Sequence, residues 1–227
     1  MNGSLSPQIK QQVWIRMPLA PLGAGLLFFG TAGTLVYWEA WVYMAILFLP
    51  TFFLVGYLMK HEPKLLERRL RKDEKEPAQQ RILKWASVFF LAAFLLPGFD
   101  KRFGWSSVPA GLVIAADLAV LLGFILFTLV LKENRFASRV IEVEQEQEVI
   151  TTGPYARVRH PMYVAVLLIY VFSPLALGSY WAMIPVLFLI VLVVARIRNE
   201  EAVLLRDLKG YREYTEKVRS RLVPGVW

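Results

Sequence analysis

Six long apolar stretches constrain this chain before anything else does. They cover residues 19–38, 40–59, 82–99, 108–131, 161–178 and 180–195, and a helix needs about 20 apolar residues to cross the hydrocarbon core of a bilayer. The first, second and fourth meet that length without interruption. Pro97 and Gly98 weaken the third. Only Ser179 separates the last two, which read as a tight helical hairpin that need not span fully. With 56% hydrophobic residues the chain is too apolar for an ordinary water-soluble domain. The predicted fold is all-α: a polytopic membrane helical bundle of about five to six transmembrane segments, closing with a helical hairpin and amphipathic tail helices in the cytoplasm.

The net charge of +8 invites a nucleic-acid partner, but its placement argues against one. If all six stretches cross, only Lys101 and Arg102 of the 26 lysines and arginines fall on one side of the membrane. Basic residues gather on the cytoplasmic side of membrane proteins, so both termini are expected there. The excess basicity is then topological, and it suits anionic membrane lipids at the inner leaflet. The polar lead before the first stretch holds only Lys10 and Arg16, and no small-residue cleavage site follows, so no cleaved signal is predicted. The sequence has no cysteine and two histidines. Thiolate chemistry is excluded, and a histidine-rich metal site is not expected.

Between the apolar stretches, residues 60–84 carry mixed charge and predict a short cytoplasmic helix bounded by Pro63 and Pro77 that serves as a solvated connector, with His61 a bystander. Residues 140–150, "VIEVEQEQEVI", alternate with glutamate at the period of an exposed strand or hairpin and suggest a cytoplasmic flap. After the hairpin a tail helix is expected from about Arg196 to Lys209, broken by Gly210, with a second short helix to about Arg219 and a stop at Pro224. On the first of these, Ile197, Glu201, Leu204, Leu205 and Leu208 share one stripe at spacings of three and four, so Glu201 points where apolar side chains point. Glu200 lies one turn from Arg196 and can pair with it directly. Asp117 lies well inside the fourth apolar stretch, where an interhelical hydrogen bond is its expected role.

The stretch "TTGPYARVRHPMY" (151–163) sets cations, a histidine and prolines directly before the hairpin. Pro154 and Pro161 predict non-helical backbone up to the hairpin's start. Pro161 suits the first helical turn, which puts His160 at the cap beside free backbone donors. A carboxylate or phosphate is stabilised at such a place, helped here by Arg159. If the hairpin folds back, its far arm returns Glu200 and Glu201 to the same membrane face. Cations opposite carboxylates suit a zwitterionic ligand.

"TGPYARVRHPMY", followed one hairpin later by "RIRNEEAVLL" and "GYREYTEKVRSRLVPGVW", resembles the isoprenylcysteine carboxyl methyltransferase and phospholipid methyltransferase superfamily of integral membrane enzymes. The likeness covers roughly residues 132–227, including "KENRFAS", and is carried by R-H-P-x-Y, the paired glutamates and G-Y-x-x-Y in that order. It divides the chain into N-terminal membrane helices, 1–131, and a catalytic, cofactor-binding region, 132–227. Two departures are Ala165, where many relatives carry glycine and a methyl group would narrow the cofactor wall, and Leu208, where an aromatic is frequent.

The resemblance implies S-adenosyl-L-methionine as cofactor and a lipophilic small-molecule or lipidated substrate. Arg159 and His160, next to Pro161, would face the cofactor's carboxylate. Glu200 and Glu201 would take its ammonium or ribose hydroxyls. Tyr155 and Tyr163 would present ring faces to the adenine or sulfonium, and Tyr211 and Tyr214 would pack the tail over the pocket. Arg196 or Arg198 would hold an acceptor carboxylate, and Asn134 would line the mouth. A carboxylate of isoprenylcysteine type is the first acceptor, since it needs no general base; a phospholipid amine is the alternative. Two other classes compete. A sterol-type membrane reductase would use Arg157 and Arg159 to grip a nicotinamide dinucleotide phosphate, and a scaffold or small transporter would need no catalytic group.

Overall fold

The computed structural model describes residues 6–71 and 73–227, and every regular element among them is helical. The helices are α1 (Pro7–Ala32), α2 (Trp38–His61), α3 (Pro63–Leu70), α4 (Pro77–Phe103), α5 (Ala110–Glu133), α6 (Pro161–Ala176), α7 (Met183–Asp207) and α8 (Tyr211–Lys217), with a 3-10 turn at Gly153–Ala156. Backbone chemistry sets their limits. Proline occupies the first turn of α1, α3, α4 and α6, where its missing N–H costs nothing. Gly33 (φ 67°) and Gly104 (φ 64°) end α1 and α4 in the left-handed conformation that L side chains avoid. The first apolar stretch is therefore cut by a turn, and α1 reaches twelve residues upstream of its predicted start at residue 19.

Helices α1, α2, α4 and α5 are long and apolar enough to cross a membrane. Helix α6 has 16 residues, about 24 Å at 1.5 Å per residue, against a hydrocarbon core of about 30 Å. The bundle turns large apolar side chains outward, among them Trp14, Leu26, Phe53, Leu122 and Val191. Such a surface is stable against lipid rather than water. Helix α5 packs along α6, and α4 packs on both α1 and α7. Gly123 lets α5 approach the Ala165 carbonyl closely: a Cβ there would stand 3.1 Å from that oxygen. Ala165 is fully buried in this seam and does not line the cavity described below. The expectation that its methyl group narrows a cofactor wall is therefore corrected.

Three loops meet at one end of the bundle. Tyr37 donates to the Leu177 carbonyl (2.6 Å), Ser179 and Ser106 both donate to Asp100 (2.5 Å each), and Lys101 pairs with Glu39 (3.1 Å). The opposite end gathers α3, the 134–160 segment and the tail. The expected strand at 140–150 is absent; the segment is irregular. Its alternation serves another purpose. Glu142 and Glu144 pair with Arg71 and Arg68, while Val143 and Val149 pack against the tail cluster of Leu208, Tyr211 and Tyr214. No neighbouring strand exists among the described residues to make it a ladder.

The tail helix predicted to begin near Arg196 is also corrected. Helix α7 runs unbroken from Met183 to Asp207, because the shift from apolar to charged composition contains no glycine or proline to stop it. Pro185 sits harmlessly in its first turn. Leu205, placed on the inward stripe by periodicity, is 45% exposed.

Candidate active site

Helix α6 starts as its sequence dictates, with His160 as the N-cap residue and Pro161 following. The chain's last segment then comes back to that start. The Arg159 and His160 amides donate to the Ser220 and Arg221 carbonyls at 3.0 Å each. From α7, Glu201 reaches the same corner. Its Oε1 accepts from Arg159 Nε (2.7 Å) and lies 3.2 Å from His160 Nε2, and its Oε2 accepts from Arg221 Nε (2.6 Å). Arg159 Nη1 also donates to the Val218 and Arg219 carbonyls. Burial would raise the acid's pKa, but hydrogen bonds from His160, Arg159 and Arg221 outweigh it and hold Glu201 at about 2.

This buried cluster changes the role expected of two residues. Both oxygens of Glu201 are taken, so it does not stand open to an ammonium or a ribose. Most of Arg159 is spent on Glu201 and the tail. The four side chains form a clasp that ties the start of α6 to α7 and to the C-terminal segment. Helical periodicity turned Glu201 inward; it carried no sign that Arg221 would arrive twenty positions later.

Beside the clasp lies a cavity of about 350 Å³, at the small end of the range for ligand pockets. Its polar end is lined by Asn134, Tyr155, His160, Glu200, Tyr211 and Tyr214. Its apolar end lies between α4, α6 and α7, against Leu83, Ala86, Val166, Leu189 and Leu192. The 136–150 segment covers one side.

Tyr163 lines the cavity and connects its charges. It donates to Glu200 (2.5 Å) and accepts from Arg196 Nε (2.9 Å), so the expected direct Arg196–Glu200 pair is replaced by a tyrosine bridge. Arg196 further donates to Gln79 Oε1 (2.9 Å) and the Arg139 carbonyl (2.8 Å), which leaves each of its guanidinium nitrogens engaged. Asn134 donates to the Tyr155 hydroxyl (2.9 Å), and Tyr214 donates to the Tyr155 carbonyl (2.7 Å). Burial pushes the Tyr155 phenol up to about 12. Tyr211 also lines the cavity, and its buried hydroxyl has no partner among the described residues.

Of the residues singled out in sequence, Arg198 lies on an exposed face outside the cavity lining. Pro161 lines instead a shallow groove with Leu126, Pro154, Arg157 and Val164. Asp117 is buried, and neither of its oxygens has a partner among the described residues, so the expected interhelical bond is not formed. Three participants were missed: Arg69, Gln79 and Arg221. The first two come from a stretch read as a solvated connector and from the start of α4, and only folding brings Arg69 to α5 and α6 and Gln79 to α7. Arg221 lies within the "RSRLVPGVW" motif, but nothing in its spacing names its partner.

A bundle of lipid-facing helices that holds a cavity beside a buried ionic clasp defines an integral membrane protein with an internal cavity. Residues 112–209, from α5 through α7, match the model of the phospholipid methyltransferase family. The likeness read from R-H-P-x-Y and the paired glutamates therefore stands, and the match supports a membrane methyltransferase. Helix α8 and Arg221 lie beyond the matched segment. No curated protein matches the chain.

Proposed function

We propose that this protein is an S-adenosyl-L-methionine-dependent methyltransferase that modifies a lipophilic acceptor, with its site and both termini on the cytoplasmic side. The observation that carries the reading is one cavity with two unlike ends: hydroxyls and a carboxylate at one, aliphatic side chains of α4, α6 and α7 at the other. A water-soluble methyl donor suits the first and a lipid chain the second. The donor set fits the cofactor. Tyr211 offers a hydroxyl without a partner among the described residues, Glu200 offers a carboxylate for an ammonium or ribose hydroxyl, and Tyr155 and Tyr214 border the space. The placement of the basic residues, with only Lys101 and Arg102 at the opposite end, supports the cytoplasmic orientation.

S-adenosyl-L-methionine, when bound, supplies a methyl group already activated on a sulfonium. The chain's work is then alignment and exclusion of water. The clasp fixes the start of α6, the C-terminal part of α7 and the tail beside the cavity, and the 136–150 segment covers it. Alignment of this kind contributes several kcal/mol, up to about 7–11 in well-oriented systems. His160 Nε2 is turned to Glu201 rather than to the cavity, so no base is poised by it. That suits a carboxylate acceptor of isoprenylcysteine type, which needs none. A phospholipid amine is the second reading, favoured by the name of the matched family; Glu200 would then take the amine's proton.

Thermal unfolding of the purified protein in detergent tests the reading. S-adenosylhomocysteine is expected to raise the unfolding temperature and NADPH to leave it unchanged; the reverse would overturn the proposal in favour of a reductase. With labelled donor and membrane lipids, a base-labile volatile label marks an ester and a stable headgroup label marks an amine.

A further inference from the structure

Helix α3 and its C-cap residue carry three arginines within four positions, and the structure treats them unequally. Arg68 is held by Glu144, with Nε 2.7 Å from Oε1, and Arg71 is held by Glu142. Arg69 lies between them, and no carboxylate among the described residues comes within ion-pair distance of it. Its Nη1 donates to the Ser138 carbonyl (3.1 Å) and touches the Met162 sulfur (3.4 Å), while the guanidinium lies 5.2 Å from the centre of the Phe127 ring. Its Nε and Nη2 donate to no protein atom among the described residues, and the side chain lines the cavity. The chain thus supplies glutamates to the two flanking arginines and withholds one from Arg69.

A cation drawn out of water without a counter-charge is costly. Burial, and after it the charges of Arg139 and Arg196, push the Arg69 pKa down, which is the direction expected of a guanidinium that lacks an anion. Arg196 lines the same cavity, but all three of its nitrogens are already engaged. Arg139 also lines the cavity and its guanidinium has no partner among the described residues, but it stands exposed to solvent; the less exposed free donors at this end are those of Arg69. Their surroundings are apolar: Met162 from α6, Phe127 from α5, and beyond them the aliphatic end of the cavity.

We propose that Arg69 binds the anionic headgroup, carboxylate or phosphate, of the lipophilic acceptor. Its part in methyl transfer rests on the methyltransferase reading; the anion site itself does not. The two free N–H groups form a fork suited to two oxygens of one head, and the apolar end of the cavity receives the attached chain. The donor's amino-acid end is left to Tyr211 and Glu200.

The test uses the full chain in maltoside detergent, with thermal unfolding followed in the presence of dodecyl phosphate, dodecanoate or dodecanol. One or both of the anionic amphiphiles should stabilise the wild type, with the stronger naming the head, and dodecanol should not. Arg69→Gln should weaken that binding about tenfold or more, and Arg69→Lys should lose less. Protection by S-adenosylhomocysteine should persist in both variants, which also shows that they fold. Equal stabilisation by dodecanol, or undiminished anion binding by Arg69→Gln, overturns the proposal. So does a parallel loss of S-adenosylhomocysteine binding, which would assign Arg69 to the donor's carboxylate. Arg69-dependent anion binding in a wild type that S-adenosylhomocysteine does not protect would keep the anion site and reject the methyltransferase reading.

Discussion

Glu201 of α7 lies 2.7 Å from Arg159 Nε, 42 positions earlier in the chain, and both side chains are almost wholly withdrawn from solvent. This contact joins the hairpin's two arms at the end where the cavity lies. Arg221 returns to Glu201's other oxygen and completes the cluster.

Removing the acid strands three donors. Glu201→Ala should destabilise the protein by about 3–5 kcal/mol, the usual cost of breaking a buried ion pair from one side. Arg159→Ala should cost nearly as much. Arg221→Ala should cost clearly less, because Arg221 is 33% exposed and keeps water as a partner. Chemical or thermal unfolding in detergent gives the ranking, and equal losses for the two arginines would contradict the clasp.

The same carboxylate sets an acid limit. Its pKa falls from an ordinary 4.5 to about 2 in the folded protein, so its stabilisation is fully present above about pH 4.5. It is lost as pH falls through that interval toward 2. Unfolding temperature measured against pH should therefore drop across this window in the wild type, and the drop should be shallower in Glu201→Gln.

Tyr211 separates a structural role from a ligand role. Its buried hydroxyl has no partner among the described residues, so Tyr211→Phe should leave stability unchanged or slightly higher. If the hydroxyl meets the methyl donor, S-adenosylhomocysteine should bind about five- to tenfold more weakly, the worth of one hydrogen bond. Isothermal titration measures the second effect, and unchanged affinity would remove Tyr211 from the donor site.

Helix contacts can be probed with one methyl group. A Cβ at Gly98 would stand 1.7 Å from Thr31 Oγ1 and 2.9 Å from the Phe28 carbonyl oxygen, whereas at Gly30 it would meet nothing within 4 Å. Gly98→Ala should push α4 from α1 and destabilise by about 1–3 kcal/mol. Gly30→Ala should be neutral or stabilising by up to about 1 kcal/mol, since alanine favours helix. Unfolding temperatures of the two variants decide it.

Asp117 is buried, and neither of its oxygens has a partner among the described residues. Asp117→Ala should raise stability by about 1–3 kcal/mol, because an unsatisfied polar group is removed from an apolar interior. A lower unfolding temperature would reveal a compensating contact.

The apolar lengths and the placement of charge determined the membrane class, the hairpin and the end of the bundle where the site lies. Hydrophobic burial and the lysine-arginine asymmetry act on composition along the chain and need no partner to be read. Pro161 likewise determined where α6 begins, because a missing N–H is a local fact. Periodicity turned Glu201 inward for the same kind of reason. The tertiary structure alone decided what each charge meets. It consumed Glu201 in a clasp with Arg221, put Tyr163 between Glu200 and Arg196, and left Arg69 without an acid while Arg68 and Arg71 each received one. Ion pairing depends on distance through space, and residues tens of positions apart come within 3 Å only once the helices have packed.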